Sequence, residues 1–160
     1  MITRLKRTSH PAWAWLRPIG VIRSVLRERS DAPRQGSEGA PDAWLELEPW
    51  ASAGLLDLAA GDRLVIITWL HHGRRDVLQV HPRGDRRRPL SGVFATRSAD
   101  RPNPLGLHAV TLRRITRHRL RIGPIEAIDG TPVVDIKPAL RRAPRAQRGG
   151  LSAGSPSRRR

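Results

Sequence analysis

The densest run of side chains with chemical potential is Gly92 to Leu107, reading GVFATRSADRPNPLGL. Arg97 and Arg101 offer planar, permanently charged forks suited to a carboxylate or a phosphate, and Asn103 beside them both donates and accepts hydrogen bonds. Pro102 and Pro104 fix their own φ and push Arg101 and Asn103 out of the helical basin. These groups are therefore expected on a stiff, extended loop that loses little entropy on binding. Gly92 and Gly106 bracket the run, and each either permits close approach of a ligand or marks a bend. A lone loop arginine is more often a pin for carbonyl oxygens, but Arg-x-x-x-Arg-Pro-Asn-Pro between two glycines reads as a binding loop.

Other segments carry weaker signals. Asp129-Gly130-Thr131-Pro132 lies between two β-like runs, where Asp-Gly is a hairpin turn signal that needs no function. In Val133 to Pro138, alternation puts Asp135 and Lys137 on one face and Val134 and Ile136 on the other. Such a carboxylate and ammonium are either solvated or an ion pair lining a pocket. Pro33-Arg34-Gln35-Gly36 reads as a turn in a polar loop. His71 and His72 close an apolar strand and, as neighbours, are expected on opposite faces. His71, His72, His81, His108 and His118 lack the helical spacing or cysteine companions that would specify a metal, so no metal site is expected. There is no glycine-rich phosphate loop, no Ser-His-Asp context for a nucleophile and no internal repeat.

Positioning these groups falls mainly to short strands. Period-two or continuous apolar runs predict strands at Ile19 to Ser24, Trp44 to Glu48, Leu64 to His72, Val77 to His81, Gly92 to Thr96, Leu107 to Ile115, Arg119 to Ile122, Ile125 to Ile128 and Val133 to Lys137. The run from Leu64 is apolar on both faces and so expected to be central. One helical piece is expected at Ala51 to Ala60, ended by Gly61. Many short strands with close turns argue for an all-β fold, a small closed or nearly closed barrel. The intervals are too short for the crossover helices of a doubly wound sheet.

Composition narrows the function classes. With no cysteine, disulfides and thiolate metal sites are excluded. No apolar run is long enough to span a bilayer and residues 1 to 17 lack the apolar centre of a secretory signal, which leaves cytoplasm as the expected location and no membrane partner. The net charge of +16 is uneven, because all 14 acidic residues lie between Pro18 and Pro138. The division expected is a basic arm at 1–17, a barrel domain at 18–138 and an arginine-rich, compositionally disordered tail at 139–160. A G- and C-rich genome accounts for arginine over lysine but not for acid-free ends, which suit a polyanion, nucleic acid first. Trp13, Trp15 and Trp50 read as packing residues before they read as base-stacking ones.

In order along the chain, IGVIRS at Ile19 to Ser24, PRQ at Pro33 to Gln35, a tryptophan-containing strand ending in His71, GVFATRS at Gly92 to Ser98, RPNPLGL at Arg101 to Leu107 and DGTPVVDIKP at Asp129 to Pro138 resemble the TsaA-like family of TrmO-type tRNA methyltransferases. The resemblance implies a small β-barrel that binds S-adenosyl-L-methionine, a homodimer with sites near the subunit interface, and N6-methylation of threonylcarbamoyladenosine next to the anticodon of tRNA. It implies cofactor contacts at Pro33, Arg34, Gln35, His71, His72, Arg97, Leu107, Asp129, Gly130 and Thr131. Arg101 and Asn103 become candidates for shaping the site or handling substrate. Asp129, Asp135 and Lys137 become the catalytic candidates, with either aspartate as proton acceptor. The chain departs from the family pattern at Val25, where proline is frequent, at His108, where a small hydroxyl residue is common, and at Ala139, where an aromatic residue is frequent. Longer relatives carry a further C-terminal domain, where this chain has its arginine-rich tail. Two other functions fit the same residues: a methyltransferase of this fold acting on a small metabolite, and a nonenzymatic RNA-binding or cofactor-sensing module.

Overall fold

The computed structural model describes residues 16–140, so most of both basic ends, with Trp13 and Trp15, lies outside the described residues. Among the described residues there are eight strands: β1 Gly20–Arg23, β2 Ala43–Leu47, β3 Arg63–Trp69, β4 Gln79–Val80, β5 Ser91–Gly92, β6 Leu105–Thr116, β7 Arg119–Gly123 and β8 Pro132–Pro138. Six of them close a barrel in the order β1-β2-β7-β6-β3-β8, while β4 and β5 form a separate two-stranded ribbon. This is the all-β barrel expected from the strand pattern.

Alternation does the sorting. Leu45 points inward between Trp44 and Glu46 on β2, and Leu64 and Ile66 point inward on β3. Ile22, Leu45, Ile66, Leu112, Leu120 and Ile122, drawn from five strands, are all 0% exposed. Burying each such side chain contributes roughly 1.5–3 kcal/mol before chain entropy is counted. The core is therefore continuous around the barrel axis, and β3 is flanked on both edges by β6 and β8. Trp50 is 49% exposed, and the Arg17 guanidinium stacks 3.9 Å from its ring centroid.

Register decides where the loops go. Arg23 faces Trp44, Ala43 faces Ile122, Trp69 faces Leu105 and Val21 faces Pro132. The connections 24–42, 70–104 and 124–131 consequently emerge at one end of the barrel, here called the mouth. The 48–62 and 117–118 connections lie at the other end, together with both limits of the described chain. Among the described residues no helix is long and apolar enough to cross a membrane.

Several local expectations are corrected. The strand expected at Val77 to His81 contracts to β4. Of Gly92 to Thr96 only Gly92 is in a strand; Val93–Ala95 is a 3-10 turn, closed by the Thr96 amide and hydroxyl donating to the Val93 carbonyl. Ile125 to Ile128 forms no strand, because Pro124 offers no N–H and Ile125, Ala127 and Ile128 are all buried across the mouth. Asp129-Gly130 is thus a turn without a hairpin, with Gly130 at φ +78° where a side chain would be strained. The helix expected at Ala51 to Ala60 is a 3-10 stretch at Pro49–Leu55. Proline opens it, and a segment that short with Gly54 inside it cannot sustain regular α-helix.

A bulge alters β8. Ile67 faces Asp135 and Thr68 faces Val133, so Val134 is the extra residue and Val133 and Ile136 are the pair that packs on the core. Asp135 and Lys137 do share the outer face, as alternation predicted, but Val134 and Ile136 do not share the inner one.

Close strand approach generates a stability prediction. A Cβ on Gly20 would overlap the Glu46 carbonyl on β2, whereas one on Gly54 meets nothing within 4 Å. Gly20→Ala is expected to lower unfolding stability by about 1–3 kcal/mol, and Gly54→Ala to leave it unchanged or slightly raised. Urea midpoints of the two variants check this.

Candidate functional site

The mouth is built by stapling its loops to one another. Arg101 donates from Nε to the Ser98 carbonyl at 2.9 Å and from Nη2 to the Val93 and Thr96 carbonyls, and its amide bonds the Arg74 carbonyl at 2.9 Å. It is a pin for the loop, and its role is to shape the site. The loop's stiffness comes from this guanidinium as much as from the prolines. Asp100 accepts from the Arg74 amide and from Arg29 Nη1, both at 3.0 Å, and Arg29 also reaches the His72 carbonyl at 3.3 Å. One carboxylate thus joins the 24–42 loop to both halves of the 70–104 connection. Arg97 and Asn103, by contrast, are exposed.

His71 and His72 correct the sequence expectation. β3 ends at Trp69, and Leu70 to Gly73 turn back, with the Gly73 amide bonding the Leu70 carbonyl at 2.8 Å. Period two no longer applies in a turn, so the rings meet edge to face, their centroids 4.2 Å apart. Burial and then the His72 charge push the His71 imidazole below its ordinary pKa, against an opposing hydrogen bond with the Trp69 backbone.

Asp129 ties the last loop to the first. Its Oδ1 accepts the Ser24 amide at 3.0 Å and its Oδ2 accepts Arg27 Nη1 at 2.6 Å. The Gly130 amide bonds the Ile22 carbonyl, and the Thr131 hydroxyl, buried, bonds the Ile128 carbonyl at 2.7 Å. Beside this turn runs a groove of about 630 Å³ lined by Arg23, Arg27, Asp42, Trp44, Arg121 and Asp129. Its arginines are matched by acids: Arg23 with Glu46, Arg27 with Asp129 and Arg121 with Asp42. Pro33 is half-buried, while Arg34 and Gln35 are exposed. The next residue, Gly36, packs on the 124–128 segment, where a Cβ would stand 3.0 Å from the Pro124 carbonyl oxygen and 3.2 Å from Glu126 Oε2.

The structure adds a group that sequence reasoning missed. His108 and Thr68 are buried inside the barrel, with Thr68 Oγ1 and His108 Nε2 2.9 Å apart, and His108 Nδ1 lies 2.9 Å from Glu126 Oε1. In sequence His108 was one of five histidines without metal-ligand spacing and a departure from a family pattern. Glu126 sat in a run read as a strand, where Ile-Glu-Ala-Ile alternation assigns it to solvent. Burial pushes the Glu126 carboxyl up, but the His108 hydrogen bond and charge, with a smaller contribution from Arg97, bring it below its ordinary value.

Not every candidate reaches the mouth. Leu107 and Asp135 both face Ile67, one from each neighbouring strand, and so lie in one row on the outer wall of the barrel. Lys137 follows on the same face, with Nζ 2.9 Å from Asp135 Oδ2. The candidates therefore divide into a mouth set, Arg34, Gln35, His71, His72, Arg97, Asn103 and Asp129, and a wall set, Leu107, Asp135 and Lys137.

The Asp100 staple generates a pH prediction. Burial raises its carboxyl, but the Arg74 amide bond and the Arg29 hydrogen bond and charge outweigh this and hold it below the ordinary value. A carboxyl depressed by folding stabilises above its unfolded pKa and loses that contribution as pH falls through the folded one. Unfolding free energy measured from pH 6 downward should therefore fall less steeply in Asp100→Asn than in the wild type, from a lower starting value.

Comparison with known proteins agrees with this architecture. Residues 21–144 match the family described as tRNA-methyltransferase O N-terminal domain. The chain is 41% identical over 121 residues to the "Probable S-adenosyl-L-methionine-binding protein VirR" of Rhizobium radiobacter, covering 75% of this chain and 67% of that one. It is likewise 41% identical over 123 residues to a "Probable S-adenosyl-L-methionine-binding protein" of Methanothermobacter thermautotrophicus, covering 77% and 88%. Among solved structures, TrmO from Pseudomonas aeruginosa superposes with a TM-score of 0.65 at 31% identity over 93% of this chain. The present chain covers 66% of the length of that one. The sequence resemblance is borne out: this chain belongs to the tRNA-methyltransferase O N-terminal domain family.

Proposed function

We propose that the protein is an S-adenosylmethionine-dependent methyltransferase that methylates N6 of threonylcarbamoyladenosine next to the anticodon of tRNA. The observation that carries this reading is the convergence of the PRQ loop, the His71–His72 turn, the ATRS loop and the DGT turn on one barrel mouth, with Arg97 exposed among them. The residues present fit the cofactor. Exposed Arg97 suits its carboxylate, and loops held by Asp100, Arg101 and Asp129 present backbone groups at fixed positions for the adenine edge. Arg34, Gln35, His71 and His72 would contact the remainder, and Pro33, Gly130 and Thr131 hold the loop shapes that present them.

When bound, the cofactor supplies a methyl group on a positively charged sulfur. The protein's part is to hold the acceptor nitrogen in line and close, because positioning accounts for much of such an acceleration. Asp129 and Asp135, the two carboxylates of the DGTPVVDIKP segment, are the candidates to take the acceptor's proton. Asp129 lies in the mouth and is bonded by two donors, while Asp135 lies on the wall beside Lys137. In a homodimer the wall set of one subunit, Leu107, Asp135 and Lys137, completes the mouth of the other. Leu105, Leu107 and Phe94 are exposed apolar residues suited to that contact. The basic ends add sequence-independent phosphate contacts, in the cytoplasm where tRNA is processed.

A second reading, a small-metabolite acceptor, draws support from the groove beside Asp129, whose lining arginines are each engaged by an acid instead of standing open to a phosphate. The acceptor experiment separates the two. Purified protein with labelled cofactor should methylate threonylcarbamoylated tRNA and not tRNA lacking that modification, whereas transfer only to a small-molecule extract would establish the second reading. In calorimetry with S-adenosylmethionine, Arg97→Ala is expected to weaken binding roughly tenfold to a hundredfold. In single-turnover assays at saturating cofactor, alanine at the true proton acceptor, Asp129 or Asp135, is expected to slow transfer by about 10²–10⁴.

A further inference from the structure

The Glu126 carboxylate has no part in the reading above, although its position is closely specified. Oε1 accepts the Nδ1–H of His108 at 2.9 Å, and the far side of that imidazole is bonded to the Thr68 hydroxyl at 2.9 Å. The His108 side chain is 4% exposed and Thr68 is 0% exposed, so the imidazole cannot swing without breaking bonds where no water replaces them. Gly106 makes room for this pair, because a Cβ there would stand 2.5 Å from Thr68 Oγ1 and 2.7 Å from His108 Nε2. A buried imidazole hydrogen-bonded at both nitrogens thus fixes the position of the carboxylate's Oε1.

The second oxygen is directed differently. Oε2 lies against Gly36, the residue after Pro33-Arg34-Gln35, and the Glu126 side chain keeps 22% of its surface exposed at the mouth. Arg97 is near enough for its charge to act on this carboxyl, yet no ion pair among the described residues joins the two. A fixed carboxylate and an exposed guanidinium at one mouth match a ligand end that carries an ammonium and a carboxylate on one carbon. We propose that Glu126 Oε2 is a cofactor-binding group that takes the α-ammonium of the methionyl end of S-adenosylmethionine, while Arg97 takes its carboxylate. This rests on the S-adenosylmethionine reading of the site. The charged groups facing Glu126 are then His108 behind it, on Oε1, and Arg97, and the ligand ammonium adds a partner for Oε2.

The test uses the full chain and calorimetry with truncated ligands, so that it reads binding and not turnover. Glu126→Gln keeps an oxygen for the His108 hydrogen bond and removes the charge. It is expected to weaken S-adenosylhomocysteine roughly tenfold to a hundredfold and to leave 5′-methylthioadenosine, which lacks the amino-acid end, within about twofold. Equal losses on both ligands would assign Glu126 a merely structural role, and no loss on S-adenosylhomocysteine would remove it from the site; either result overturns the proposal. Should the variant fail to fold, the wild type decides, since it should bind the deamino analogue of S-adenosylhomocysteine weaker by the same factor. Equal affinity for that analogue and for S-adenosylhomocysteine refutes the ammonium contact alone. A wild type that binds neither S-adenosylmethionine nor S-adenosylhomocysteine overturns the cofactor reading and this inference with it.

Discussion

Because neighbouring strands of the barrel run antiparallel, successive connections must alternate between its two ends. The first, third and fifth connections therefore share the mouth, and these are the ones that carry the PRQ, His-His, ATRS, RPNP and DGT segments. No single loop has to bring those groups together. Closure of the barrel does it, and closure depends on an apolar interior packed from Ile22, Leu45, Ile66, Leu112, Leu120 and Ile122. It also removes the unpaired strand edges that an open sheet of this size would present.

The interior changes character along its axis. Toward the far end it is aliphatic, while toward the mouth it holds Thr68, His108 and Thr131, each hydrogen-bonded. Buried polar groups contribute little net stability when satisfied and cost much when left unpaired, so they specify one arrangement of the chain around them. Here that arrangement is the position of the 124–131 segment relative to β3 and β6. Outside the interior, Asp100, Arg101 and Asp129 perform the same task for the loops. These bonds convert a long connection with only a two-stranded ribbon of its own into a shaped surface.

Charge is distributed with similar economy. The mouth groove pairs its arginines with acids, while the formal excess of +16 is concentrated in ends that carry no acid. Fixed, paired charges orient a bound molecule, whereas an excess of one sign of charge acts on a polyanion from a distance and is weakened by salt.

The strand pattern was legible in sequence wherever alternation met a buried face, as in β1, β2, β3, β6, β7 and β8, and so was the closed barrel. The collinear segments were legible too, together with their family. Where local pattern misled, a nonlocal contact had decided the matter: Ile125 to Ile128 packs across the mouth instead of pairing in the sheet, and the Leu70 to Gly73 turn brings two histidine rings together. Sequence by itself determined which residues alternate and which loops are stiff or charged, because those follow from side chains a few positions apart. Only the tertiary structure decided that Arg101 pins carbonyls while Arg97 stays exposed, and that His108 and Thr68 anchor Glu126 beside Gly36. Those partners lie on different strands and loops, and barrel register, not spacing along the chain, sets what each side chain meets.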